Sequence, residues 1–174
     1  YYNPTGSVKD RAAFYIINKL FEKKEINEKT TLIESSSGNF GIALSFISKF
    51  YNLKFICVVD PHILSVNEYL IRSLGAEIFK VNTPDMFGGY LLTRINKVNK
   101  LIKKISNSYW INQYSNPYNA EAYYKTLGNE ICKDFENLDF VFIGVSSGGT
   151  ITGVSRKLKE KYPNIKIIAV DILG

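Results

Sequence analysis

An α/β fold built on parallel sheets is what this 174-residue sequence predicts. Three observations carry that expectation. Short runs of β-branched and aromatic residues alternate with longer amphipathic stretches, the pattern of parallel strands joined by helices. Hydrophobic residues make up 45% and charged residues 22% of the chain, ordinary globular usage that excludes a disordered chain. The Gly- and Ser-rich segments fall where a strand gives way to a helix, which is where open parallel sheets bind ligands.

The elements follow in order. An amphipathic stretch predicts a helix over 8–24, with Ser7 as its N-cap and Asp10 three residues on, close to a capping box. A β-branched run predicts a strand over 31–34, and helical periodicity resumes over 40–50. The same reasoning gives a strand over 54–59, a helix over 66–74, a strand over 77–81 and a helix over 90–104. A strand holding Trp110 spans 108–111, and one long helix is expected over 120–135. A strongly apolar strand over 139–145, a helix over 150–162 and a strand over 166–171 close the chain, whose last residues, 170–174, read as a strand leaving the sheet.

Several classes fall away. No apolar run reaches the length of a membrane span, and Lys9, Asp10 and Arg11 interrupt any signal-like apolar core. Cys57 and Cys132 stand far apart with no metal-ligand spacing, so no metal site is expected, and two such cysteines fit a reducing, cytoplasmic setting. His62 is the only histidine, which removes most histidine-based mechanisms. The net charge of +6 comes almost wholly from 18 Lys against 4 Arg, spread along the chain. A nucleic-acid surface would cluster them and favour Arg, so neither nucleic acid nor membrane is expected as a partner.

The segment Ser146, Ser147, Gly148, Gly149, Thr150 places three hydroxyls and two glycines between a strand and a helix. Backbone N–H groups and the helix dipole favour an anion there, and glycine lets the backbone come close to a phosphate. A simple N-capped turn is the bland alternative. No Lys-Ser/Thr pair follows the glycines, so this is not a Walker loop, and the dinucleotide pattern fails as well. Gly144, Ser146 and Gly148 do match the GxSxG nucleophile elbow of hydrolases, but the one histidine precedes the serine. Lys9 sits in the first turn of its helix, where the dipole disfavours a cation and lowers its pKa. Taken alone it reads as a surface lysine. Together with a phosphate loop and the polar segment around Asn39 it points to pyridoxal 5'-phosphate: an aldehyde for the amine, a phosphate for the glycine loop, a phenolic oxygen for an amide.

At these residues the sequence resembles the fold-type II pyridoxal-phosphate enzymes, the cysteine synthase and tryptophan synthase β group, over essentially its whole length. Asn3, Pro4, Thr5, Gly6, Ser7, Val8, Lys9, Asp10 and Arg11 match that group's lysine motif. The resemblance implies that Lys9 is the Schiff-base lysine and the proton carrier at Cα. Glu34, Ser35, Ser36, Ser37, Gly38, Asn39, Phe40 and Gly41 resemble the Thr-Ser-Gly-Asn-Thr-Gly loop. This implies that Ser36, Ser37, Gly38 and Asn39 bind the substrate carboxylate, with Asn39 also on the cofactor ring oxygen. Ser146–Thr150 resemble the phosphate cup, and Gln113 matches a glutamine on the substrate carboxylate. Ser146 and Ser147 stand where Gly-Thr is usual, Ser36 replaces a Thr and Phe40 replaces a Thr, changes that bear on the substrate more than on the cofactor.

The resemblance implies three-layer parallel sheets of the tryptophan synthase β type. It also implies a small substrate-loop domain over 9–113 and a partial large cofactor-binding domain from 1–8 and 114–174. The start beside a motif and the strand-like end make a fragment the expectation, and the longer enzyme is expected to be a homodimer. Ser7-Val8-Lys9-Asp10-Arg11 reads as in the β-replacement synthases, and Cys57–Pro61, Gly88–Ile95 and Tyr109–Tyr114 resemble the N-(2-amino-2-carboxyethyl)-L-glutamate synthases of siderophore biosynthesis. That branch implies β-replacement through an aminoacrylate, joining O-phospho-L-serine to L-glutamate. Cysteine synthase, using O-acetylserine or O-phosphoserine with sulfide, is the alternative within the family. A non-catalytic remnant that holds a phosphate-bearing ligand is the alternative outside it.

Overall fold

The computed structural model describes residues 2–171. It divides into two compact units, Tyr1–Asn112 and Gln113–Gly174, each built on a parallel sheet. Residues 172–174 of the terminal stretch expected to leave the sheet lie outside the described residues.

In chain order the first unit holds α1 (Lys9–Glu22), β1 (Thr31–Ser35), α2 (Asn39–Phe50), β2 (Lys54–Val59), α3 (Ser65–Ser73), β3 (Glu77–Lys80), α4 (Leu91–Lys104) and β4 (Ser108–Trp110). Its strands run parallel in the order β3-β2-β1-β4. All five residues of β1 are buried, as expected of a parallel strand flanked on both sides and covered on both faces. Ile33 stands level with Ile56 on β2 and Trp110 on β4. Around it Ile33, Ile56, Val58, Val81, Val98 and Leu101 form a core, with Phe79, Tyr90 and Trp110 packed against it. Ala12, Ala13, Ile16, Ile17 and Leu20 are fully buried on α1, a stripe at helical spacing. That helix packs on α2, and Tyr51, just past the end of α2, donates to Asn18 Oδ1 and rests near the Phe21 ring.

The second unit holds α5 (Pro117–Lys125), α6 (Leu127–Asp134), β5 (Phe140–Gly144), α7 (Gly149–Lys161) and β6 (Lys166–Val170), with β5 and β6 parallel. Its centre is the contact of α5 with α7. A Cβ at Gly153 would lie 2.1 Å from Ala120 O and 2.8 Å from Tyr123 Cβ, so only glycine lets these two helices approach this closely. Phe140, Phe142 and Val170 are exposed along this sheet, Phe142 to 68%.

The helix expected over 120–135 is two helices. Thr126 breaks it at φ −112°, ψ −88°, with its Oγ1 donating back to Ala122 O at 2.7 Å. The break turns Gly128 onto α7, where a Cβ would lie 2.7 Å from Lys157 Cβ. The first of the two starts earlier than expected, because Asn116 caps it by accepting from Tyr118 N and Pro117 opens it. Ser7 does not cap α1 in the expected way. The helix begins at Lys9 after Val8, which makes no side-chain cap bond, and Ser7 Oγ accepts from Lys9 N at 3.2 Å. Asp10 reaches back past Ser7 to Thr5, accepting from Thr5 N at 2.9 Å and Thr5 Oγ1 at 2.6 Å.

Candidate active site

Three of the sequence-derived segments lie at helix N-termini, and the local backbone explains each. In the first unit, Lys9 lies in the first turn of its helix, as its first residue. Its side chain is half-buried, and burial lowers its pKa from the ordinary 10.5 by penalising the ammonium form.

Ser36, Ser37 and Gly38 link β1 to α2, which opens at Asn39. Ser36 is buried, donates its N–H to Val58 O at 3.2 Å and accepts Gly41 N at 3.0 Å on its Oγ. Gly41 has no room for a side chain: a Cβ would stand 2.7 Å from Ser36 O and 3.0 Å from Cys57 Sγ. Cys57 is fully buried and donates its Sγ–H to Ser36 O at 3.1 Å. Burial first, then the Glu34 carboxylate, push its thiol pKa up to about 12. Gly38 precedes the helix as an extended residue with no side chain of its own to cap it; Ser36 Oγ takes Gly41 N, and the other first-turn N–H groups of α2 are the backbone donors this end can offer.

Ser37 is engaged differently. Its Oγ donates to Asp60 Oδ2 at 3.0 Å and accepts from Arg94 Nη1 at 3.1 Å, while Arg94 Nη1 pairs with Asp60 Oδ2 at 3.0 Å. Asn67 Nδ2 donates to Ser37 O at 3.1 Å. The loop is thus fastened from β2, α3 and α4 together. Asp60 and Arg94 were not singled out from the sequence. Asp60 follows β2, at the carboxyl edge of the sheet where ligand-facing residues collect, and that position was a usable signal. Arg94 lies inside an amphipathic helix, within the Gly88–Ile95 stretch that carried a resemblance but no site role.

The second unit opens with Gln113, which is 7% exposed and follows Asn112 at φ +52°, a left-handed conformation that Asn tolerates. Ser146, Ser147 and Gly148 lead from β5 into α7, whose first two residues are Gly149 and Thr150. Gly148 has φ +82°, which a residue with a Cβ adopts only under strain. No side chain caps the helix, which leaves its first-turn N–H groups and dipole for an anion. The second glycine serves packing. A Cβ at Gly149 would lie 2.4 Å from Asn119 Oδ1. Asn119, which the sequence reading also passed over, donates Nδ2 to Gln113 O at 2.7 Å and to Ser147 Oγ at 3.3 Å.

The structure therefore gathers Ser36, Ser37, Gly38 and Asn39 in one loop of the first unit. It joins Gln113 to the 146–150 loop in the second. Lys9 belongs to the first unit. Among the described residues no group of three or more His, Cys, Asp or Glu could hold a metal, and no helix is long and apolar enough to cross a membrane.

The chain matches the family described as pyridoxal-phosphate dependent enzyme over residues 1–174. It belongs to that family. An O-acetylserine dependent cystathionine β-synthase from Helicobacter pylori is 39% identical with a TM-score of 0.88, over 97% of this chain and 54% of that one. A hydrogen sulfide-producing enzyme from Fusobacterium nucleatum is 35% identical with a TM-score of 0.88, over 96% and 52%, and a mutant of it was solved with an α-aminoacrylate intermediate. An O-ureido-L-serine synthase is 30% identical with a TM-score of 0.87, over 96% and 52%. The chain spans about half the length of these solved relatives.

The family's cofactor suits the residues present. A phosphate fits the uncapped N-terminus behind left-handed Gly148, and an aldehyde fits an amine whose proton is held less tightly than usual.

Proposed function

We propose that this chain carries the cofactor-lysine and substrate-loop half of a cytoplasmic, homodimeric β-replacement synthase that uses pyridoxal phosphate. The observation that carries the reading is Lys9, a partly desolvated amine at the head of α1, in a chain of this family. Residues 9–113 form the small substrate-loop domain, and 1–8 with 114–174 contribute to the large one.

Lys9 and Asn39 hold the cofactor's ring end, and Ser146, Ser147, Gly148, Gly149 and Thr150 hold its phosphate. Bound there, the cofactor supplies an electron sink for charge developing at the substrate Cα. Lys9 Nζ would take the Cα proton and later return it. The substrate carboxylate lies on Ser36, Ser37, Gly38, Asn39 and Gln113. The Ser37 hydroxyl already donates to Asp60, so the backbone N–H groups of this loop and the Ser36 hydroxyl are the donors for that carboxylate.

The substrate pair is O-phospho-L-serine with L-glutamate, giving N-(2-amino-2-carboxyethyl)-L-glutamate, a siderophore precursor. The stretches at Cys57–Pro61, Gly88–Ile95 and Tyr109–Tyr114 support it, and the motif around Lys9 supports β-replacement in general. A second reading, O-acetylserine with sulfide, is favoured by the 39% identity to an O-acetylserine dependent enzyme.

The test has two stages. The full chain mixed with pyridoxal phosphate should develop the visible absorption band of a lysine-bound cofactor, and Lys9→Ala should abolish it. A band that persists would remove Lys9 from its role. Product analysis with the two substrate pairs then separates the readings: turnover of O-acetylserine with sulfide alone would overturn the glutamate assignment.

A further inference from the structure

Asn119 belongs to none of the motifs, yet it is 3% exposed and stands where two ligand-facing segments meet. It is the third residue of α5, whose start is set by the Asn116 cap and Pro117. Its backbone N–H donates to Asn116 O at 3.0 Å. Its carboxamide lies flat against Gly149, in the space a side chain would take: Oδ1, Cγ and Nδ2 all fall within 2.6 Å of where a Cβ would be. That contact fixes the amide plane. Both N–H groups of Nδ2 can then serve, one to Gln113 O at 2.7 Å and one to Ser147 Oγ at 3.3 Å.

The direction of the second bond matters. A hydroxyl has one proton and two lone pairs. Accepting from Asn119 uses a lone pair of Ser147 and not its proton. Ser147 lies in the loop before α7, where the uncapped N–H groups and the dipole favour an anion. A hydroxyl proton aimed at that anion is a charge-assisted donor, about twice as strong as a neutral one.

We propose that Asn119 is a positioning residue. It ties the Gln113 backbone to the phosphate loop and turns the Ser147 hydroxyl to donate to the cofactor phosphate. The inference rests on the phosphate role proposed above for residues 146–150.

The test measures affinity of the full chain for pyridoxal phosphate and for pyridoxal, which lacks the phosphate. Asn119→Asp keeps the shape and removes both donors, and Asn119→Ala removes the whole amide. Each should weaken pyridoxal phosphate by about tenfold or more and pyridoxal by no more than about twofold. Ser147→Ala should give a similar loss, and adding Asn119→Asp to it should bring little further change in the phosphate preference, because both act through one hydroxyl. Circular dichroism melts identify a variant that does not fold, and the isosteric Asp change then carries the comparison. Parallel losses for both ligands, no loss, or additive effects with Ser147→Ala would overturn the role of Asn119 alone. A wild-type chain that prefers pyridoxal phosphate in no measurable degree would overturn the phosphate assignment itself.

Discussion

At the scale of single residues, Lys9 is where local structure and chemistry meet. Partial burial penalises its ammonium form, so the proton leaves at a lower pH than on an exposed lysine. Competitive acylation of the apo chain across pH should give Lys9 a midpoint below 10.5, with the exposed lysines at their ordinary value. A Lys9 midpoint at or above theirs would contradict the burial. The same shift has a stability sign. The unfolded chain holds this proton more tightly, so the burden of desolvating the charge is full below the folded pKa. It is relieved as pH rises from there to 10.5. The motif around Lys9 was legible because it is contiguous in sequence. The Arg94–Asp60–Ser37 cluster was not, because its members come from α4, the end of β2 and the loop after β1, and only the tertiary fold brings them together. Asn119 escaped for a similar reason: its neighbours Gly149 and Ser147 lie on another element.

At the scale of elements, the strands were legible almost to the residue, since β-branched runs such as Phe55–Val59 have no polar residue to blur their bounds. The break at Thr126 was not. Leu127 and Ile131 continue the apolar spacing across it, and the break is set by φ/ψ at one residue and by the fit of Gly128 on α7. Helix packing in the second unit leans on such close approaches. Gly153→Ala would drive a methyl against the Ala120 carbonyl, 2.1 Å away. Backbone cannot yield as a flexible side chain does, so the change should cost about 1–3 kcal/mol. Thermal unfolding should show a drop of several degrees. An unchanged melting temperature would mean that α5 and α7 are not held this tightly.

At the scale of the whole molecule, the two sheets differ in how they are covered. In the first unit β1 is buried throughout, as parallel strands generally are. In the second, Phe140, Phe142 and Val170 remain exposed. The 174-residue chain on its own should therefore bind a hydrophobic dye, and Phe142→Lys should reduce that binding severalfold. No dye binding by the wild-type chain would show this face to be hidden. The first unit holds a different kind of reporter. Cys57 lies beneath the β1–α2 loop, fully buried, donating to Ser36 O, with its pKa near 12. In that state it is almost never the reactive thiolate. It can meet a reagent only when the loop lifts away from β2, and local openings of this kind occur more often than global unfolding. The chain thus carries its own clock: how fast Cys57 is consumed, compared with how fast the whole unit unfolds, counts the moments when the loop lets go by itself.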